Sequence, residues 1–301
     1  VGCFHPLNAY KTNQGQINFD DNKGGDPLTL PCGQCLGCRL ERSRDWAVRC
    51  THEAQMHEQN CFITLTYNDE NIPLDGSLIK SDFKNFIRRL RKYAKCKIRY
   101  YHAGEYGDEN KRPHYHAILF GYNFPDWEHI LNTPDGEPIY TSKILERIWK
   151  KGFVNIGDCT FESAGYVARY CMKKLNGPLK HQVNEKTGLK PYERFHSFTG
   201  EISEVLPEYS TMSRRPGIGK PWFSRYTRDV FPKDYLHVKG VRMPPPKIYY
   251  QYLKEIDPDM YDYIKADRTL KAYESDENTR ERLSARETVK KAQFKQLKRS
   301  L

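Results

Sequence analysis

The sequence predicts an α+β protein. Phe62-Ile-Thr-Leu-Thr-Tyr67 is a β-branched and aromatic run closed by Asn68-Asp69, and reads as a central strand. Tyr100–Tyr122 reads as two more short strands joined by a polar turn. Between them, Phe83, Phe86, Ile87 and Leu90 recur at helical spacing within Ile79–Tyr93. Strands and amphipathic helices mixed in this way bury their apolar faces by packing helices on a sheet.

The chain has 301 residues, which allows one large domain or a core with appendages. Lys and Arg number 49 against 38 Asp and Glu, a net charge of +11. Such a surplus favours a polyanionic partner, most often nucleic acid. Tyrosine reaches 21 residues, and aromatics among cations suit stacking on unpaired bases, although a tyrosine-rich core is the plainer use for them. No apolar run approaches the ~20 residues that a membrane helix needs, so no membrane partner is expected. No secretory segment is read, and nine cysteines, an odd number, point to a reducing compartment.

Taken in order, residues 1–30 read as loop, with Gly24-Gly25-Asp26-Pro27 as a turn. Cys32, Cys35 and Cys38 follow at C-x2-C-x2-C spacing, a metal or redox arrangement whose glycines let the backbone fold round an ion. A structural Zn²⁺ there would take Cys3, His5 or Cys50 as fourth ligand; small buried free thiols are the competing reading. Arg39 to about Gln59 reads as a helix with four arginines. Ile79–Tyr93 carries Lys84, Arg88, Arg89, Arg91 and Lys92 opposite its apolar face. Ile144–Lys151 is a short helix and Phe153–Ile156 a short strand. Gly177–Lys190 is a polar connection. Arg214-Arg-Pro-Gly-Ile-Gly-Lys220 lacks the G-x-x-x-x-G-K-[ST] spacing of a phosphate loop, so no intrinsic helicase is expected. It remains either a DNA-gripping loop or a plain turn. After Pro244-Pro-Pro246, Tyr249–Lys271 reads as helical, with Asp257-Pro258 opening a second helix. Residues 275–299 are charged and suit a solvated helix or a disordered arm.

Two stretches carry chemistry. His114-Tyr115-His116 lies on the second strand of the hairpin, so both imidazoles point the same way. Glu105 ends the first strand, and a hairpin brings its carboxylate beside them. Two His and one carboxylate on a sheet face can hold a metal ion with positions open for substrate oxygen. An amphipathic strand with an ordinary ion pair is the competing account. In Ala164–Leu175, Tyr166, Tyr170 and Lys173 fall at i, i+4 and i+7 and share one helical stripe. Ala164, Val167, Ala168, Cys171 and Leu175 form the apolar stripe. Two phenols one turn apart match attack on a phosphodiester with a covalent phosphotyrosine, and Lys173 can offset charge or orient DNA.

These residues resemble the HUH endonucleases, in particular rolling-circle replication initiators. His114-Tyr115-His116 is similar to their His-hydrophobe-His motif, and Tyr166-Val-Ala-Arg-Tyr170-Cys-Met-Lys173-Lys174 to the two-tyrosine motif of initiators from small single-stranded DNA phages. The gokushovirus branch of the microviruses is the nearest likeness, with a similar Cys32–Cys35 opening and a similar Arg214–Gly219 segment. The resemblance spans most of residues 1–225. It implies a central antiparallel sheet of four or five strands with flanking helices and a helical C-terminal extension. It implies His114, His116 and Glu105 as ligands of Mg²⁺ or Mn²⁺, and Tyr166 and Tyr170 as nucleophiles. It also implies a single-stranded origin as substrate, a host helicase and polymerase as partners, a monomer, and the cytoplasm of a bacterial host. Residues 1–58 would then be a Cys-rich segment and helix, 59–178 the endonuclease core, 179–243 a basic and aromatic extension, and 244–301 a charged helical region.

Three other classes are weighed. A plasmid or transposon HUH nuclease shares the chemistry. A cupin-like metal protein also uses His-x-His, but needs a Glu shortly after the second His, and Ala117–Tyr122 has none. A non-catalytic zinc-containing nucleic-acid binder would bind DNA with steep salt dependence and form no covalent adduct.

Overall fold

The computed structural model describes residues 2–20, 24–107, 110–132, 136, 138–173, 180–195 and 199–296, without the side chains of residues 170–173 and 276. Its strands and helices follow in chain order as β1 (Leu7–Lys11), β2 (Ile17–Asn18), β3 (Asp26–Leu30), α1 (Leu36–Ala54), β4 (Asn60–Thr66), α2 (Lys80–Ala94), β5 (Arg99–Tyr106), β6 (Pro113–Phe120), β7 (Trp127–Asn132), β8 (Pro138–Ser142), α3 (Lys143–Trp149), β9 (Val154–Gly157) and α4 (Phe161–Lys173). They continue as β10 (Glu193–Phe195), β11 (Ile202–Glu204), β12 (Tyr209–Met212), α5 (Lys220–Val230), β13 (Leu236–Val238), β14 (Val241–Met243), α6 (Lys247–Ile256), α7 (Pro258–Tyr273) and α8 (Arg280–Gln296). The class is α+β. Two compact units are present: Val1–Arg44 with Tyr250–Arg299, and Asp45–Tyr249.

The larger unit holds the main sheet, ordered β12-β5-β6-β4-β9-β8-β7 among the described residues, with antiparallel pairing throughout. Seven strands exceed the four or five expected. The additions lie at the edges: β12 pairs with β5, and the β7–β8 hairpin extends the far side. β7 is exposed along most of its length, so the alternation that marks a half-buried strand is absent from its sequence.

The centre of the sheet follows the period-2 rule closely. In β4, Cys61, Ile63 and Leu65 are buried on one face, while Phe62, Thr64 and Thr66 point to the other. On the first face, Ile63, Leu65, Tyr115, Ala117 and Leu119 pack with Phe83, Phe86, Ile87 and Leu90 of α2 and with Leu145, Ile148 and Trp149 of α3. The apolar stripe read in α2 is therefore its core face. Two of the arginines read on its opposite face hold protein carbonyls. Arg89 donates to the Ile148 and Trp149 oxygens at the end of α3, and Arg91 to the Ile98 oxygen. On the second face, Tyr101, Ala103, Ile118 and Phe120 pack with Ala47 and Cys50 of α1 and with Ala164, Val167 and Ala168 of α4. Small residues on both helices let them sit close to the strands.

The Arg214–Gly219 segment is built into this unit as a turn. Arg99 donates to the Pro216 oxygen at 2.8 Å, Arg49 to the Ile218 oxygen at 3.1 Å, and the Gly219 amide donates to Glu53 at 2.8 Å. Of the two readings left open for it, these bonds support the structural one.

In the smaller unit the structure corrects the first 30 residues, read as loop: β1, β2 and β3 form an antiparallel sheet in the order β2-β1-β3. Ala9 is the buried side chain in β1, too weak a pattern to mark a strand. α1 starts at Leu36 and stops at Ala54, both earlier than the residues expected. α7 begins as predicted: the Asp257 side chain accepts from the Met260 amide at 3.0 Å and Pro258 occupies the first turn. Residues 280–296 are helical, with Leu283 buried. Among the described residues, no helix is long and apolar enough to cross a membrane.

Candidate metal centre

The β5–β6 hairpin fixes the site by register. Glu105 lies opposite His114, and Ala103 opposite His116. On the other side of β6, Thr64 of β4 lies opposite His116. A one-residue slip of either pairing would carry these side chains to the core face.

Both imidazoles converge on one carboxylate oxygen. His114 Nε2 lies 2.6 Å and His116 Nε2 3.0 Å from Glu105 Oε1. Glu105 and His116 are 2 % and 4 % exposed, so the group is shielded from bulk water. Burial alone would raise the Glu105 pKa, but hydrogen bonds from His114 and His116 outweigh it and hold the carboxyl at about 2. The group therefore stays anionic at any ordinary pH.

The far sides of the rings are also held. His114 Nδ1 lies 3.0 Å from the Arg112 carbonyl, which can only accept. His116 Nδ1 lies 2.9 Å from Thr64 Oγ1. Phe62 stacks on the His116 ring, with centroids 5.7 Å apart. A carbonyl or hydroxyl behind each imidazole is the outer support that metal-binding histidines need.

The donor set fits a divalent ion. Glu105, His114 and His116 each offer a ligand atom within 4.8 Å of the others. Adjacent ligands round an ion at ~2.1 Å stand ~3 Å apart, close to the two nitrogen–oxygen separations here. Three protein ligands would leave further positions on such an ion for substrate oxygen.

α4 brings a phenol to this face. Ala164, Val167 and Ala168 are buried against the sheet, as the apolar stripe predicts. Tyr166 is thereby turned toward the histidines: its ring centroid is 5.1 Å from that of His116, edge to face. It also meets Phe62 edge-on at 6.1 Å, and the Arg169 guanidinium lies 5.7 Å from its centroid. The backbone of Tyr170 and Lys173 belongs to α4, but their side chains lie outside the described residues, as does Leu175.

Sequence reasoning brought Glu105, His114, His116 and Tyr166 together and missed Thr64, Phe62 and the Arg112 carbonyl. Alternation from the core residues Ile63 and Leu65 puts Phe62 and Thr64 on the histidine face once β4 is paired with β6; a backbone carbonyl has no signature at all. A second metal-type cluster lies in the smaller unit, where Cys3 joins Cys32, Cys35 and Cys38. The other two candidates for the fourth place are engaged elsewhere. His5 pairs with Glu287 at 2.9 Å, and Cys50 is buried in the sheet unit.

An antiparallel sheet bearing two imidazoles and a carboxylate beside a tyrosine helix defines a candidate metal-dependent site. The family model for replication-associated protein ORF2/G2P matches residues 60–175, the stretch that contains it. The chain is 32% identical over 284 residues to replication-associated protein VP4 of Bdellovibrio phage phiMH2K, covering 90% of this chain and 83% of that protein. It is 31% identical over 296 residues to replication-associated protein ORF2 of Spiroplasma virus 4, covering 89% and 86%. A 37% match over 154 residues links it to replication-associated protein ORF4 of Chlamydia phage 1, covering 48% and 38%. No solved structure matches it. The chain belongs to the family of replication-associated proteins of microvirus-like phages.

Proposed function

We propose that this protein is an HUH-type replication initiator that nicks single-stranded origin DNA by tyrosine transesterification and later rejoins the ends. One observation carries the reading: the Tyr166 ring lies against His116, on the sheet face where Glu105 and His114 converge. Membership in a family of replication-associated proteins and a net charge of +11 support a DNA substrate.

Glu105, His114 and His116 would hold Mg²⁺ or Mn²⁺, which when bound would offset charge on the scissile phosphate. A phenol with the ordinary pKa of ~10 is ionised in about one molecule in a thousand at pH 7, so attack needs this electrostatic help. The Tyr166 oxygen attacks phosphorus as the phenol loses its proton to water. The bond from phosphorus to the 3′ oxygen breaks, its electron pair stays on that oxygen, and the oxygen takes up a proton from water. The products are a 5′-phosphotyrosine and a free 3′ hydroxyl. Arg169, poised over the phenol ring, steadies it for attack. Tyr170, one turn along α4, makes the second cut after a round of synthesis, with Lys173 orienting the phosphate. The freed 3′ hydroxyl then attacks the first phosphotyrosine and closes a circle. The stored ester bond makes a nucleotide cofactor unnecessary. Unwinding and synthesis fall to a host helicase and polymerase in the bacterial cytoplasm, and the initiator acts as a monomer.

The test is a labelled single-stranded origin oligonucleotide incubated with purified protein. We expect a denaturant-stable adduct with Mn²⁺ or Mg²⁺ that disappears with a chelator. Salt-sensitive binding with no adduct would favour the non-catalytic binder.

A further inference from the structure

Cys3, Cys32, Cys35 and Cys38 bring their sulfurs within 4.8 Å of one another. Cys3 Sγ lies 3.5 Å from Cys32 Sγ and 3.9 Å from Cys35 Sγ. Four thiolates at ~2.3 Å from one zinc ion occupy tetrahedral corners ~3.8 Å apart. The spacing is that of a tetrathiolate site, and far too long for disulfides at ~2.05 Å. It also suits one ion better than a four-iron cluster, in which each sulfur binds a different iron and the sulfurs stand further apart.

Backbone amides point at these sulfurs. Phe4 N–H donates to Cys35 Sγ at 3.4 Å, Cys32 N–H to Cys3 Sγ at 3.2 Å, Cys35 N–H to Cys32 Sγ at 3.3 Å, and Cys38 N–H to Cys35 Sγ at 3.5 Å. Amides directed at sulfur favour the thiolate and form the outer support of a metal–thiolate centre. Two glycines permit the approach. Gly33 turns the chain between Cys32 and Cys35 at φ +73, and a Cβ on Gly37 would stand 2.2 Å from the Gly2 oxygen.

Among the described residues of the unit around this cluster, the buried apolar side chains are Phe4, Ala9, Leu253, Ile264 and Leu283. So small a set supplies little burial energy, and a metal cross-link would add to it. We infer that Cys3, Cys32, Cys35 and Cys38 bind one structural zinc ion that pins the N-terminal segment to the start of α1. This site is independent of the reading given to Glu105, His114 and His116.

Untagged full-length protein, purified without chelator, is analysed for metal by mass spectrometry and, after cobalt exchange, by absorption. The expected results are one zinc per chain and, with cobalt, the thiolate charge-transfer and visible bands of a tetrahedral tetrathiolate site. Cys35→Ser lowers bound zinc by about tenfold or more, whereas His114→Ala and Cys96→Ser leave it in place. The inference is overturned if wild-type protein carries no zinc and its four cluster thiols react with a disulfide reagent as fast as exposed Cys96. It is equally overturned if zinc leaves with His114→Ala and stays with Cys35→Ser.

Discussion

On the α2 face of the sheet, His102 lies flat on Phe83 with centroids 3.5 Å apart, its Nδ1 2.9 Å from Thr211 Oγ1. Burial pushes its pKa well below the usual imidazole range, so it stays neutral. On the opposite face, His116 of the neighbouring strand meets Glu105, Thr64 and Tyr166. The phenols divide in the same way. Tyr115 bonds Tyr67 at 2.8 Å on the core face, and Tyr67 bonds Asp82 at 2.6 Å. Burial pushes the Tyr115 phenol up to about 12, against hydrogen bonds from Tyr67 and the Ile79 amide. Tyr166 is only half-buried and faces the imidazoles. Residue type is the same on both faces; what differs is the partners, two imidazoles sharing one carboxylate oxygen on one face and a histidine held by a threonine hydroxyl on the other.

Substitutions paired across the sheet can break this contrast. The largest effect is expected from Tyr166→Phe combined with Tyr170→Phe, which removes both nucleophiles and should take covalent adduct below detection on denaturing gels. Tyr115→Phe should keep adduct formation and lower stability by ~1–3 kcal/mol in denaturant titration, since buried partners lose a hydrogen bond. Next comes His116→Ala, expected to weaken Mn²⁺ binding by about a hundredfold or more in calorimetry. His102→Ala should leave Mn²⁺ affinity unchanged and cost stability instead. Thr64→Val removes only the support behind His116 and should weaken Mn²⁺ binding by ~10–100-fold.

The smallest effect is a pH dependence. The Glu105 carboxyl is held at about 2 by hydrogen bonds from His114 and His116. A depressed carboxyl adds stability above its unfolded range and loses it only as pH falls toward 2, so Glu105 does not titrate near neutrality. Protons compete with a metal ion for imidazole nitrogen, because a histidine must be neutral to bind metal. Mn²⁺ affinity should therefore fall as the pH is lowered, which calorimetry at a series of pH values checks. An affinity flat down to pH 5 would show that the imidazoles are not ligands.

How much could be read in advance follows from where each signal lives. Glu105, His114, His116 and the docking stripe of α4 were legible because hairpin alternation and helical period are local rules. So was α2, whose Phe83, Phe86, Ile87 and Leu90 all turn inward. The edge strands were not legible: β7 is mostly exposed, and β12 is four half-buried residues that form a strand only because β5 lies beside them. The basic face of α2 was legible as a row of cations, yet Arg89 and Arg91 serve carbonyls that sequence could not locate. Cys3 joined the thiol cluster from 29 residues upstream of Cys32, a pairing that spacing left open among three candidates.

The central claim is that a tyrosine of α4 attacks DNA beside the Glu105–His114–His116 group. Peptide mass spectrometry of the Mn²⁺-dependent adduct tests it most directly. The account predicts a nucleotide remnant on Tyr166 or Tyr170 and none on the core phenols Tyr67 and Tyr115. An adduct mapped to any other residue, or formed undiminished by a folded Tyr166→Phe, Tyr170→Phe double variant, would contradict it.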